Sequence, residues 1–254
     1  MFAKYYLINV EVLRSRTDSP LAAQQFLRGL RAAGLPFLLV ADASRRTRGQ
    51  LCRKLQDLGM EGLSEQQFYT SAMAAVDYAC RVAPAKKNAR FLGGEGLSAA
   101  LETGGFTLQG GQPDWLFLGL DRTAAYSDYT NALRILDQGA QLVTADNAPV
   151  LPGRQGRMIG NGAVADLLEC ASGKPAVRVS FPHAEIVQDA LRYAGVQPQD
   201  AILVGASLAT DIRAAAAAGL DTVLVSNAED TLEDVRRLQV HPTYIVDSLS
   251  GLLK

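Results

Sequence analysis

Three acidic residues stand just beyond apolar runs that read as strands. Glu11 follows Tyr5–Val10, Asp42 follows Pro36–Ala41, and Asp211 follows Ala201–Val204 after the turn Gly205-Ala206-Ser207-Leu208-Ala209-Thr210. Open α/β sheets present their ligand sites at the carboxyl ends of parallel strands, so these positions form the expected floor of a pocket. Three carboxylates there could hold magnesium, a hard cation that takes oxygen donors. The segments Asn9–Val12, Ala41–Ser44, Ser180–Pro182 and Gly205–Asp211 contain no lysine, arginine or histidine to face them. Aspartate also caps helices, and on the residues alone capping is the preferred reading of Asp42 and Asp211.

Two further patterns invite chemistry. Gly94-Glu95-Gly96-Leu97-Ser98-Ala99 fits the glycine-rich turn of a dinucleotide site, with Asp114 lying 20 residues beyond Gly94. In that motif the acid closes the second strand and meets ribose, whereas Asp114 opens a strand, so a plain strand–turn–helix connection is preferred. Gly173-Lys174-Pro175 lacks the upstream glycine and the hydroxyl residue of a phosphate loop. His183, after Phe181-Pro182, could serve as a general base, but no nucleophile signature accompanies it and a helix N-terminal position is the simpler reading.

The elements that must position these residues alternate. Ser19 as N-cap, Pro20 at the first helical position and Gly34 past the end delimit a helix. Its expected buried stripe is Ala22, Phe26, Leu27, Leu30 and Ala33. Further helices are expected at 47–58, 71–82, 96–102, 128–137, 163–171, 184–194, 209–218 and 231–238. Strands are expected at 5–10, 36–41, 89–92, 115–118, 141–144, 176–179, 201–204, 221–225 and 243–246. Strands separated by helices of this size imply parallel sheets and a doubly wound α/β fold.

Composition supports a globular chain and narrows its partners. The 254 residues are 48% hydrophobic and 20% charged, enough for a sizeable core. Twenty-five basic residues balance 26 acidic ones, which argues against a nucleic-acid surface. Two histidines and three scattered cysteines form no zinc pattern and suit a reducing, cytoplasmic setting. No apolar stretch reaches the length of a membrane span, and neither a membrane segment nor a signal peptide is expected.

The order of these segments resembles the haloacid dehalogenase superfamily, and within it the NagD-type or p-nitrophenylphosphatase-type group. The resemblance spans the chain. It runs through Leu35-Pro36-Phe37-Leu38-Leu39 with Ser44 and Arg46-Thr47, and through Gly119-Leu120-Asp121-Arg122 and Gly160-Asn161-Gly162-Ala163. It closes with Ala217-Ala218-Gly219-Leu220-Asp221-Thr222-Val223-Leu224-Val225 and Pro242-Thr243-Tyr244-Ile245-Val246-Asp247. It implies a Rossmann-like core formed by residues 1–82 and 177–254, and an inserted α/β cap over 83–176. A homodimer through the cap is the implied assembly.

The same resemblance implies phosphomonoester hydrolysis through an aspartyl phosphate, with magnesium as cofactor. The residues at the motif positions depart from that chemistry. The first motif, Asp-x-Asp-Gly, is Asn9-Val10-Glu11-Val12 here. The hydroxyl of the second motif is replaced by Ala41, followed by Asp42. Aligning the strand at Ala176–Val179 puts Ser180-Phe181-Pro182 on the third motif, so Phe181 stands where a lysine belongs. In the fourth, Ala206 takes the place of a metal-binding aspartate while Thr210-Asp211 survives.

Acids and lysine are thus missing together. The expectation is a catalytically inactive relative of these phosphatases that binds a small metabolite or a protein partner, without a metal cofactor. The alternative is a hydrolase with a rebuilt site that uses Glu11, Asp42 or Asp211.

Overall fold

A computed structural model describes residues 4–14, 20–153, 156–226, 230 and 232–252. In chain order the first elements are β1 (Tyr5–Asn9), α1 (Pro20–Ala32), β2 (Phe37–Ala41), α2 (Arg48–Gln56), β3 (Phe68–Thr70) and α3 (Ser71–Val82). Next come β4 (Ala89–Leu92), α4 (Glu95–Thr103), β5 (Trp115–Leu118), α5 (Tyr126–Asp137) and β6 (Gln141–Thr144). A hairpin of β7 (Val150–Gly153) and β8 (Gly156–Ile159) precedes α6 (Asn161–Ser172) and β9 (Val177–Arg178). The chain closes with α7 (Glu185–Ala194), β10 (Ala201–Gly205), α8 (Arg213–Ala217), β11 (Asp221–Val225), α9 (Leu232–Leu238) and β12 (Tyr244–Val246).

Each strand expected from the sequence is present, and three are added. Phe68–Thr70 is too short to show a period. The β7–β8 ribbon carries Pro152 and two glycines, which read as loop; its two strands pair antiparallel, separate from the other sheets. Helix α1 buries Ala22, Phe26, Leu27 and Leu30 as expected. Ala33 is exposed instead, because the helix has ended and Gly34 turns the chain at φ +66°. The N-cap assigned to Ser19 and the helix start at Thr231 lie outside the described residues.

The chain divides into two compact units. The first comprises 1–41, 48–69 and 181–254; the second comprises 42–47 and 70–180. The sequence resemblance places the insert at 83–176.

The first unit is built on a sheet in the order β12-β11-β10-β1-β2-β3, with β1 parallel to both β10 and β2. Every residue of β2 and β10 is buried, as continuous apolar runs in central parallel strands require. From β1 the order runs one way to β2 and the other way to β10, so the carboxyl ends of β1 and β10 flank the point where the winding reverses.

The second unit has its own parallel sheet, β4-β5-β6-β9. Leu116, Leu118, Ala132, Leu136, Leu142, Ala165 and Leu168 form a core between strands and the helices α5 and α6. The two sheets together make an α/β fold of parallel strands joined by helices. Among the described residues no helix is long and apolar enough to cross a membrane.

Candidate functional site

At the reversal point of the first unit, β1 ends on Asn9 and β10 ends on Gly205. Asn9 is buried, and its side-chain Nδ2 donates to Asp211 Oδ1 at 2.8 Å. Its Oδ1 accepts the Glu11 backbone N–H at 2.9 Å. A backbone donor on one side and a carboxylate on the other leave only one orientation for this amide. Asp211 also accepts from Ala206 N and from Thr210 Oγ1, each at 2.9 Å. Gly205 permits the approach: a Cβ there would stand 2.6 Å from the Asp211 Cβ.

Burial pushes the Asp211 carboxyl above its usual range, and the hydrogen bonds from Ala206, Thr210, Ser207 and Asn9 pull it back only in part. Asp211 is therefore no helix cap, contrary to the reading from sequence. It sits inside the wide turn Leu208–Ile212 ahead of α8 and accepts from residues upstream of it.

The other residues of this unit singled out in the sequence do not converge on Asp211 as charges. Glu11 turns outward, its side chain 65% exposed and paired with Arg14 at 2.9 Å, because the chain leaves β1 in a short 3-10 turn that places the two on one side. Ala41 and Phe181 are buried apolar residues at 3% and 4% exposure. His183 is exposed ahead of α7. Among the described residues no three His, Cys, Asp or Glu side chains are grouped to hold a metal.

Asp42 follows β2 directly but belongs to the second unit, where it accepts from Ser180 Oγ at 2.5 Å. It also lies within hydrogen-bonding reach of Asp146. Ser44 Oγ donates to Asp146, and the Leu120 N–H reaches both Ser44 Oγ at 2.8 Å and Asp146 at 3.1 Å. Burial raises the Asp146 carboxyl above its usual range, against the hydrogen bonds it accepts. Burial is the larger influence on Asp146, and the contacts from Ser44, Leu120 and Asp42 offset it only in part. The carboxyls line a pocket of about 100 Å³ with Ser44, Arg45, Leu120 and Arg122. Asp146 was not singled out in the sequence, although it stands at the carboxyl end of an expected strand like the acids that were.

The glycine-rich turn at Gly94 has a packing role. The Gly96 N–H donates to the Arg45 carbonyl at 3.1 Å, and a Cβ on Gly94 would lie 2.7 Å from that oxygen. A Cβ on Gly96 would overlap the Arg46 carbonyl. The backbone at 45–46 thus occupies the face of this turn, the place where the motif would bring a pyrophosphate. Close by, a cavity of about 290 Å³ opens at the ends of β4 and β5, lined by Leu92, Leu118, Tyr129, Met158, Val164 and the exposed Arg122.

Two family models match the chain. The haloacid dehalogenase-like hydrolase family covers residues 12–107, and a HAD-hydrolase-like family covers 179–252. The chain is 30% identical to the 5'-nucleotidase YutF of Bacillus subtilis, over 97% of this chain and 96% of that protein. It is 30% identical to an acid sugar phosphatase of Staphylococcus aureus over 97% and 95%. The solved structure of NagD from E. coli superposes with a TM-score of 0.89 at 28% identity, covering 99% of both chains. With its parallel-sheet core, second α/β unit and full-length relatives, the chain belongs to the haloacid dehalogenase superfamily, in the NagD-type group.

Proposed function

We propose that this protein is a non-hydrolysing member of the phosphatase group its relatives represent, and that it acts by binding a small molecule. The observation that carries this reading is the Asn9–Asp211 contact. A phosphate-accepting nucleophile at the end of β1 must present a free anionic oxygen, but Asn9 presents an amide nitrogen already bound to a carboxylate. Its one oxygen is held by Glu11 N.

Magnesium does not fit this donor set. It needs several oxygen ligands, whereas Asp211 is engaged by Asn9 and Thr210 on one oxygen and by Ala206 on the other. Ala206 adds no donor side chain, and Glu11 is turned to Arg14. The rebuilt hydrolase is disfavoured by the same geometry, since Glu11 is exposed and paired with Arg14, Asp211 is internally satisfied, and Asp42 belongs to the other compact unit, where it accepts from Ser180. A small-molecule occupant is favoured by the 290 Å³ cavity of the second unit, which is lined by Leu92, Leu118 and Val164 together with Asp121, Arg122 and Asn161.

The test is phosphate release from p-nitrophenyl phosphate and a panel of sugar phosphates and nucleoside monophosphates, with added magnesium. The expected rate equals that of buffer. Magnesium-dependent turnover lost on Asp211→Asn would overturn the proposal. A thermal-shift screen with the same panel identifies the occupant, because a ligand of the folded state raises the melting temperature by mass action.

A further inference from the structure

Beyond the strand-end crevice, the second unit holds a lysine ammonium whose surroundings are unusual. Lys87 Nζ lies 3.0 Å from Cys80 Sγ and 2.9 Å from the Gly104 carbonyl, and it stands 4.6 Å above the centre of the Phe106 ring. Both Lys87 and Cys80 are partly buried. Among the described residues no carboxylate pairs with Lys87, and its Nζ is held by the Cys80 sulfur, the Gly104 carbonyl and the face of the Phe106 ring. The other cysteines have no such neighbour. Cys52 is buried, gives its thiol to the Leu63 carbonyl and is pushed up by burial, while Cys170 is exposed on α6.

The pair is held by the fold rather than by a flexible chain. Cys80 sits in the last turn of α3. Lys87 lies in the short segment before β4, where its carbonyl accepts the Thr107 N–H at 2.8 Å. Gly104, which ends α4, supplies the carbonyl that fixes the ammonium. The amine is therefore kept at bonding range of the sulfur in the folded state.

From this geometry we infer that Cys80 and Lys87 form a redox modification site, in which a hydroperoxide drives a reversible sulfur–nitrogen bond between them. The sulfur attacks one oxygen of hydrogen peroxide, the O–O bond breaks, and water leaves with the second oxygen, giving a sulfenic acid. A sulfenic acid condenses with a nearby nitrogen. Here the Lys87 ammonium first gives one proton to solvent water; the resulting amine attacks the sulfur, the S–N bond forms, the S–O bond breaks, and the hydroxyl leaves as water with a second proton from nitrogen. Thiol, amine and peroxide thus give a sulfenamide and two waters, and a dithiol reductant reverses the bond. The link ties the end of α3 to the strand entry at β4.

The experiment uses the intact protein treated with stoichiometric hydrogen peroxide, alkylated, digested with trypsin and analysed by mass spectrometry. The expected product joins the Cys80 and Lys87 peptides, is two hydrogens lighter than their sum, and is lost on dithiothreitol treatment. In Lys87→Arg, which keeps the charge but lacks a condensing amine, the cross-link is absent and Cys80 is trapped as a dimedone adduct. Recovery of Lys87 unmodified in the wild type, with Cys80 found only as free thiol, sulfenic or sulfinic acid, would overturn the inference. So would equal cross-linking of Lys87 to Cys170.

Discussion

Asn9 and Asp211, 202 positions apart in the chain, meet nitrogen to carboxylate at 2.8 Å, at the end of β1 and in the turn after β10. This contact makes the strand-end crevice self-satisfied: the amide serves as counter-group for a buried acid, where an anion at Asn9 would need a cation to separate it from Asp211.

Replacing that amide by a carboxylate should therefore destabilise the protein and make it responsive to magnesium only when a further donor is present. Asn9→Asp is expected to cost about 1–3 kcal/mol near neutral pH, the scale of an unsatisfied buried polar pair. Asn9→Asp with Ala206→Asp should show a magnesium-dependent rise in melting temperature that the wild type and either single variant lack. Differential scanning fluorimetry with and without the cation measures this.

Glu11→Gln should leave stability within about 0.5 kcal/mol of wild type, since its partner Arg14 and its own side chain face solvent. Chemical denaturation in urea reports it. A drop several times larger would show that Glu11 supports the crevice.

Acid should favour the fold at two carboxyls. Burial raises Asp146 and Asp211 above the ordinary value of 3.8, so the native state holds these protons more tightly than the unfolded chain. Their stabilising share is complete below the unfolded value and is lost as pH rises through the raised native one. Asp146→Asn should remove part of that loss, because one of the two raised carboxyls no longer titrates while the amide oxygen keeps the Ser44 and Leu120 bonds. Unfolding free energies from about pH 4 to pH 8 are expected to fall less steeply in the variant.

Gly96→Ala places a methyl against the Arg46 carbonyl. The expected cost is about 1–3 kcal/mol, as for overpacking elsewhere. Nicotinamide and flavin dinucleotides should leave the melting temperature of the wild type unchanged, since the chain's own backbone covers the turn.

Phe181 is buried at 4% exposure, and Phe181→Lys should destabilise the fold by several kcal/mol by placing an ammonium in an apolar site. Phe181→Leu, with no charge and a smaller volume loss, is expected to cost less. The contrast between the two melting temperatures separates charge from cavity.

The alternation of apolar runs and helical stripes determined the parallel α/β plan, and the resemblance singled out Asn9, Glu11, Ala41, Phe181 and Ala206 as expected departures from its motifs. Periodicity is a local property, and a substituted residue type is visible wherever its segment is placed. The turn at Gly94 was equally visible as a glycine pattern, but its purpose depended on which chain lay against it, and only the tertiary structure supplied the backbone at 45–46. Asp146 escaped notice because its meaning is a relation to Asp42 and Ser44, 104 and 102 positions away. The direction of the Asn9 amide was likewise undetermined in one dimension. A side-chain amide offers a donor and an acceptor with nearly the same shape, and which end faces the crevice is decided by the groups that folding brings to it.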